Sequence, residues 1–272
     1  MSFLDNMFGL EDKIVIITGG GGVIARAMSN AFLKAKAKVV LWDISQDNIN
    51  EAISGLSEDT ENKENIKGMI VDTTSEKSVE NAIAETEKVF GKPTSLINAA
   101  GGNRGKNPFV ETDIEQFEFV LKLNLVAGLA VPTKVFAKYW IANKIKASII
   151  NMTSMASYIP LSGVWAYDAA KAAVLNLTMA TANEFAADGI RVNAIAPGFF
   201  IGKQNKALLI KDDKTGELTD RGKQVIGHTP FGRFGDISEL TGAAIFLLSD
   251  NASGFVTGIS LPVDGGYLVH NV

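Results

Sequence analysis

A chain of 272 residues can build one large α/β domain or two small ones, and 46% hydrophobic with 21% charged residues describes a globule with a sizeable core rather than extended disorder. A formal net charge of -4, with Lys and Arg scattered among Asp and Glu, offers no broad basic face for nucleic acid or another polyanion. Cysteine is absent, which removes disulfides, zinc–thiolate sites and cysteine nucleophiles together. No later segment approaches roughly 18 uninterrupted apolar residues and the start MSFLDNMFGLED is neither basic nor long and apolar, so no membrane partner is expected and the chain reads as cytoplasmic.

In chain order, residues 13–18 (KIVIIT) form a β-branched run that stops at four glycines and gives way to an apolar-periodic stretch over 23–33: strand, tight turn, helix. The alternation continues through KVVLWD, IKGMIVD, TSLINAA, ASIINMTS and IRVNAIAP, which predicts βαβ units and a parallel sheet. VVLW and SLINAA are apolar at both alternating sets of positions, as in strands covered by helices on both faces. Long helices are expected over residues 113–139 and 163–188. The acidic stretch 57–65 (SEDTENKEN) reads as a solvated loop. Residues 201–233 break the rhythm, contain no convincing strand and are expected to form a helical lid after Pro197-Gly198. With neither repeat nor linker, 1–272 reads as a single doubly wound α/β domain, and right-handed crossovers place the strand carboxyl ends on one ligand-binding rim.

The motifs lie on that rim. Gly20, Gly22 and Ala25 fit a G-x-G-x-x-A spacing between strand and helix, where backbone amides can meet a dinucleotide pyrophosphate; a plain strand-to-helix turn is the alternative. Asp43 ends the second strand 23 residues after Gly20, close to the spacing of about 20 at which a carboxylate holds ribose hydroxyls. It would repel a 2′-phosphate, and no Arg or Lys lies within the glycine loop or directly after Asp43, so NAD is favoured over NADP; an N-cap for the helix near Ser45 is the other reading. Tyr167 and Lys171 are four apart on one helix face, or are simply a core Tyr and a solvated Lys. As a pair, the ammonium would favour phenolate and lower the tyrosine pKa toward neutrality. Ser154, 13 residues before Tyr167, would steady a substrate oxygen, with Thr153 and Ser157 as alternative hydroxyls. Asn124, polar within VLKLNLVAG, is a structural hydrogen-bonder or part of the site. No His/Asp/Glu cluster at ligand spacing is seen, so no metal is expected.

Taken together, residues 18–25, Asn98-Ala99-Ala100-Gly101, Ser154 and Tyr167-Asp168-Ala169-Ala170-Lys171 resemble the short-chain dehydrogenase/reductase family almost end to end, although Val23 and Ala25 stand where the family has its second and third glycines. The resemblance implies a Rossmann-type doubly wound parallel sheet of about seven strands with a small helical substrate lid. It implies hydride transfer between NAD(H) and a small hydroxyl/ketone substrate. Asn124, Ser154, Tyr167 and Lys171 are then the catalytic set, Asn124 holding a water that links Lys171 to solvent. Cofactor contacts are implied for Gly19, Gly21, Gly22, Val23, Ile24, Asp43, Asp72, Thr73, Asn98, Ala99, Ala100, Gly101, Tyr167, Lys171, Pro197, Gly198 and Phe200, with Ile195 as an apolar face for the nicotinamide. The PVDGG end (262–266) resembles the family's tetramer-forming end, which implies a homotetramer.

GGGGVIA, Gly101-Gly102-Asn103 and the stretches PGFFIGKQNKALL and GELTDRGKQVIGHTPFGRFG resemble the D-mannonate oxidoreductase (fructuronate reductase) subgroup, implying a six-carbon sugar acid such as D-mannonate/D-fructuronate. Arg104, Lys203 and Arg233 are candidates for its carboxylate, each of which can equally be a solvated surface charge. Gly102, Asn103 and His228 complete the expected substrate contacts, His228 having a structural alternative, and His270 is simply near the terminus. Rival readings are gluconate or polyol dehydrogenase, 3-oxoacyl-carrier-protein reductase, or a non-catalytic NAD-sensing protein.

Overall fold

The computed structural model describes residues 2–59, 63–202, 206–212 and 214–270. Strands β1 (Ile14–Thr18), β2 (Lys38–Asp43), β3 (Ile66–Ile70), β4 (Ser95–Asn98), β5 (Ala147–Met152), β6 (Ile190–Pro197) and β9 (Ser260–Val263) form one seven-stranded sheet, while β7 (Ile210–Asp212) and β8 (Glu217–Leu218) pair separately. The large sheet is parallel throughout, in the order β3-β2-β1-β4-β5-β6-β9. The chain order reverses between β1 and β4, and the crevice above that switch point is where open α/β sheets bind ligands.

Alternate residues of the central strands feed two cores. Val15, Ile17, Val39 and Leu41 pack under α2 (Val23–Lys34), α3 (Gln46–Asp59) and α10 (Thr241–Leu248), against Phe32, Leu33, Ala52 and Leu247. Ile16, Val40 and Trp42 pack under α4 (Glu76–Phe90), α6 (Val131–Asn143) and α7 (Trp165–Phe185), where Phe136 stacks between Trp42 and Trp140 with ring centroids 5.5 and 5.0 Å away. Each such fully buried aromatic contributes about 1.5–3 kcal/mol of apolar transfer free energy. Between the sheet and its second helical layer runs a buried polar ladder. Asn98 Nδ2 donates to Thr133 Oγ1 (3.0 Å) and to Asn151 Oδ1 (2.8 Å), and Asn151 Nδ2 donates to Thr178 Oγ1 (2.9 Å).

The remaining helices refine the sequence reading. Helix α1 (Phe3–Phe8) docks on α11 (Asp250–Ser253) through Ser249 and Asn251, whose side chains donate to the Met7 and Asn6 carbonyls. The helix expected over 113–139 starts at α5 (Ile114–Leu121), with Asp113 accepting from the Glu115 amide at 3.0 Å, and continues to Asn143. Its middle, Lys122–Ala130, is π-helical, a widening that concentrates at functional sites. Among the described residues this is the one helix long and apolar enough to cross a membrane, and half of its apolar window is packed inside the fold.

Two expectations are corrected. The stretch 57–65 is not all loop, because Ser57 to Asp59 continue the amphipathic helix α3 and Lys63–Asn65 close a short helical turn. Among the described residues of 201–233, helix is confined to α8 (Lys206–Leu209) and α9 (Asp220–His228). Between them β7 and β8 form an antiparallel pair, turned at Gly216 (φ +73°) and closed outside by the Lys211–Glu217 ion pair.

Candidate active site

The site begins where β1 and β4 end side by side, with Thr18 opposite Asn98. Thr18 is fully buried, and its Oγ1 accepts from the Ala99 and Ala100 amides, both at 3.1 Å, tying the two strand ends together. Gly19 has φ +62°, and a Cβ there would stand 2.8 Å from Ala100 Cα, so both conformation and space require glycine. A Cβ on Gly20 would meet Leu41 at 2.7 Å, and one on Gly21 would meet Asn48 at 2.5 Å. Gly22 then caps α2 without a side chain, which leaves the first amides of the helix, at Val23 and Ile24, open to an anion. This bare cradle, whose Cβ space is already taken, fits the pyrophosphate of a dinucleotide.

Asp43 flanks the cradle. Its Oδ2 accepts from Gly21 N (3.0 Å), and its Oδ1 accepts from Ser45 N (3.0 Å) and Asn48 Nδ2 (3.5 Å). A carboxylate offers about four acceptor sites, so capacity for a ribose hydroxyl remains alongside the capping role. Arg26, which the sequence reading passed over, folds back to donate from Nε to the Gly21 carbonyl at 3.0 Å. Asp72 is exposed beyond β3, and hydrogen bonds from the Thr74 hydroxyl (2.7 Å) and amide (2.8 Å) hold its carboxyl below the usual range; Thr73 lies half-buried beside it.

The catalytic candidates converge beside this cradle. Ser154 follows β5 and caps a short turn, its Oγ accepting from Ala156 N (3.2 Å). Thr153 and Ser157 are spent elsewhere: the former donates to the Ile195 carbonyl (2.9 Å), the latter to the Lys171 carbonyl (2.7 Å). Lys171 Nζ is buried, donates to the Met152 carbonyl at 2.7 Å and lies 5.5 Å from the Tyr167 ring centroid. Burial pushes its pKa down from 10.5 to about 8. The lowered tyrosine pKa expected from the Tyr167–Lys171 spacing does not appear. Burial raises it and the Asp168 charge adds to the rise, against the opposing Ser154 hydrogen bond; the ammonium lies over the ring face and is turned to Met152.

Asn124 sits in the π-helical segment. Its Oδ1 accepts from Gly102 N (3.0 Å), while its Nδ2 donates to the carbonyls of Gly102 (2.7 Å) and Val120 (2.9 Å). Gly101 is wedged beneath it: a Cβ there would lie 2.6 Å from Asn124 Oδ1 and 3.6 Å from Lys171 Nζ. Asn124 therefore grips the loop after β4 and faces Lys171 across a glycine.

Other expected residues divide. Gly198 approaches Asp264 too closely for a Cβ, 2.6 Å from its Cα, and Pro197 ends β6 as read. The Asn98 side chain is committed to the polar ladder, so only its backbone faces the rim. Ile195 is fully buried and Phe200 packs in the same core, its ring filling the space over Gly235, so neither offers an open apolar face. Arg233 holds Glu239 with both terminal nitrogens (2.8 and 2.7 Å). His228 stacks on Tyr267 and His270, ring centroids 4.5 Å away in each case, which favours its structural alternative. Lys203 lies outside the described residues. Arg104 has no acidic partner among the described residues; its guanidinium lies 3.9 Å from the centroid of the Phe119 ring. With Asn103, Asn107, Gln116 and Trp165 it lines a shallow, open cleft, whose edge Trp165 pins by donating to the Asn107 carbonyl at 3.0 Å. No three-residue His/Asp/Glu metal cluster occurs among the described residues.

Comparison with known proteins gives the same picture. A family model described as enoyl-(acyl carrier protein) reductase matches residues 21–268. An uncharacterized oxidoreductase of Haemophilus influenzae is 39% identical over 96% of this chain and 95% of its own. A crystal structure described as a candidate D-mannonate oxidoreductase from Haemophilus influenza, with bound NAD, is 36% identical with TM-score 0.88, covering 98% of this chain and 99% of that one. A candidate 2-deoxy-D-gluconate 3-dehydrogenase from Agrobacterium tumefaciens, with bound NADP, is 30% identical with TM-score 0.84, covering 97% and 99%. With its glycine cradle, its Ser154–Tyr167–Lys171 cluster and these end-to-end likenesses, the chain belongs to the short-chain dehydrogenase/reductase family of oxidoreductases acting on hydroxyl and ketone groups.

Proposed function

We propose that this enzyme is an NAD-dependent oxidoreductase of a six-carbon sugar acid, interconverting a D-mannonate-type alcohol and its fructuronate-type ketone. The observation that carries the reading is the placement of Tyr167 beside buried Lys171, whose Nζ lies 5.5 Å from the tyrosine ring centroid, with Ser154 at the end of β5 and the glycine cradle alongside. Bound nicotinamide supplies or accepts the hydride. Ser154 holds the substrate oxygen as it gains or loses charge. Tyr167, kept as a neutral phenol by burial, donates the proton when the ketone is reduced and takes it back in the reverse direction. Lys171 and Asn124 hold the floor of the site through Met152 and Gly102. Asp43 supports NAD over NADP, since a carboxylate already hydrogen-bonded to the glycine loop repels a 2′-phosphate. The chain's likeness to an NAD-bound candidate D-mannonate oxidoreductase supports both cofactor and substrate class. Arg104, which has no acidic partner among the described residues, is the residue we assign to the substrate carboxylate, and 201–233 is the lid. Assembly is as a homotetramer, a reading supported by the exposed apolar residues Val110, Ile114 and Phe255.

The test is NADH-dependent reduction of fructuronate beside other ketouronates, ketogluconates and an acetoacetyl thioester, with NADPH in parallel and Tyr167→Phe as the blank. Fructuronate turnover that vanishes in the variant supports the assignment. Preference for the thioester, or NADH binding without turnover of any ketone, overturns it.

A further inference from the structure

At the adenosine end of the proposed cofactor site lies an ion pair that the reaction does not use. Arg26, near the start of α2, donates from Nε to the Gly21 carbonyl (3.0 Å) and from a terminal nitrogen to the carboxylate of Glu51 on α3 (3.0 Å). An ion pair this exposed contributes little by itself, the two side chains being 25% and 52% exposed. Its place in a closed circuit changes that. The amide of the same Gly21 donates to Asp43 Oδ2 (3.0 Å), and Asp43 Oδ1 accepts from Ser45 N and Asn48 Nδ2 at the start of the helix that carries Glu51. The circuit runs from Gly21 to Asp43, into α3, across Glu51 to Arg26 and back to Gly21. At its centre loop and helix touch directly, since a Cβ on Gly21 would lie 2.5 Å from Asn48 Cβ.

We propose that the Arg26–Glu51 pair is a positioning device for the adenosine half of the dinucleotide: it holds Gly21 from the carbonyl side while Asp43 holds it from the amide side. Asp43 is thereby aimed at the ribose before the cofactor arrives, and less ordering is left to be done on binding. Arg26 on α2 and Glu51 on α3 belong to different elements from Ser154, Tyr167 and Lys171. The inference rests on the reading that this loop binds NAD.

The experiment is an equilibrium titration of the full chain with NADH, followed by cofactor fluorescence, for wild type, Arg26→Met, Arg26→Lys and Glu51→Gln. Reduced nicotinamide mononucleotide, which lacks the adenosine half, is titrated in parallel. Arg26→Met is expected to raise the NADH Kd about tenfold, as for loss of charge-assisted hydrogen bonds, with Glu51→Gln and Arg26→Lys in between. Mononucleotide binding stays at the wild-type level, and kcat at saturating NADH changes by less than about twofold, because ground-state binding of a remote group has been lost. An unchanged NADH Kd in Arg26→Met overturns the proposal, as do equal losses for NADH and mononucleotide, which signal general damage. If Arg26→Met fails to fold, Glu51→Gln, nearly isosteric and half-exposed, decides the matter in the same way. Failure of the wild type itself to bind NADH strikes instead at the underlying cofactor reading.

Discussion

Adding a single methyl group at Gly101 is expected to disable the site more than its size suggests. The new Cβ would stand 2.6 Å from Asn124 Oδ1, where ordinary contact begins at 3.4 Å, so the amide must retreat by several tenths of an ångström or more. Asn124 has no slack, since three hydrogen bonds of 2.7 to 3.0 Å hold it to Gly102 and Val120. Retreat costs at least one of them, about 1–3 kcal/mol for a buried amide left unsatisfied. For a protein of this size that corresponds to a fall in Tm of about 2–10 °C. The same displacement moves the loop after β4 against Lys171, and misplacement on the order of 1 Å in an active site costs roughly 100-fold in rate. Thermal unfolding and steady-state kinetics of Gly101→Ala read both effects. Gly102→Ala serves as the stability comparator: its Cβ would meet only Leu123 Cδ2 at 4.0 Å, so its Tm should stay within about 2 °C. A Gly101→Ala protein as stable and as active as wild type would refute the reasoning.

Lys171 predicts two pH effects. Its ammonium is lost as pH rises through about 8, so the rate of ketone reduction should fall over that range, as a pH–rate profile at saturating NADH will show. Stability moves the other way. Between about 8 and the ordinary 10.5 the unfolded chain binds the proton that the folded chain has released, so Lys171 makes stability rise with pH over that window, and Lys171→Met should flatten this part of the urea midpoint curve. Asp43→Asn should weaken NADH binding by about tenfold and narrow the gap to NADPH, measured as the ratio of the two Kd values. Arg104→Gln should raise KM for a sugar acid about tenfold while leaving an uncharged polyol's KM unchanged, and equal effects on both would remove Arg104 from the carboxylate site.

The architecture was legible because its strands carry β-branched and apolar residues on both faces, a pattern that only a doubly covered sheet satisfies, and the glycine run sits where the first strand ends. About seven strands were expected, but the position of the seventh was not read: Ser260–Val263 is short, sits at the sheet edge and contains Pro262. The β7–β8 pair hides in KDDKTGEL, where charge conceals strand character and the pairing is local. That Ser154, Tyr167 and Lys171 would lie near one another was readable from spacing, but their electrostatics were not. A separation of four places two side chains on one helix face and says nothing of whether Nζ reaches the hydroxyl or, as here, turns to Met152 from another strand. Arg233 and Glu239 likewise meet through the short helical turn that Asp236 caps, and the Arg26 circuit joins three segments that no periodicity connects.

The polar ladder from Thr133 through Asn98 and Asn151 to Thr178 has a consequence for how the chain finds its fold. Strands β4 and β5 are buried along their whole length, so a slip of two residues would still match apolar to apolar. The side-by-side pairing of Asn98 with Asn151 does not survive such a slip: each amide would be stranded among aliphatic side chains without a partner. The ladder thus works as a register key, penalising misaligned intermediates. Asn151→Leu would be expected to keep the sheet and loosen its alignment, carrying the error to the rim where Asn98 opens the loop to Gly101 and Ser154 follows β5.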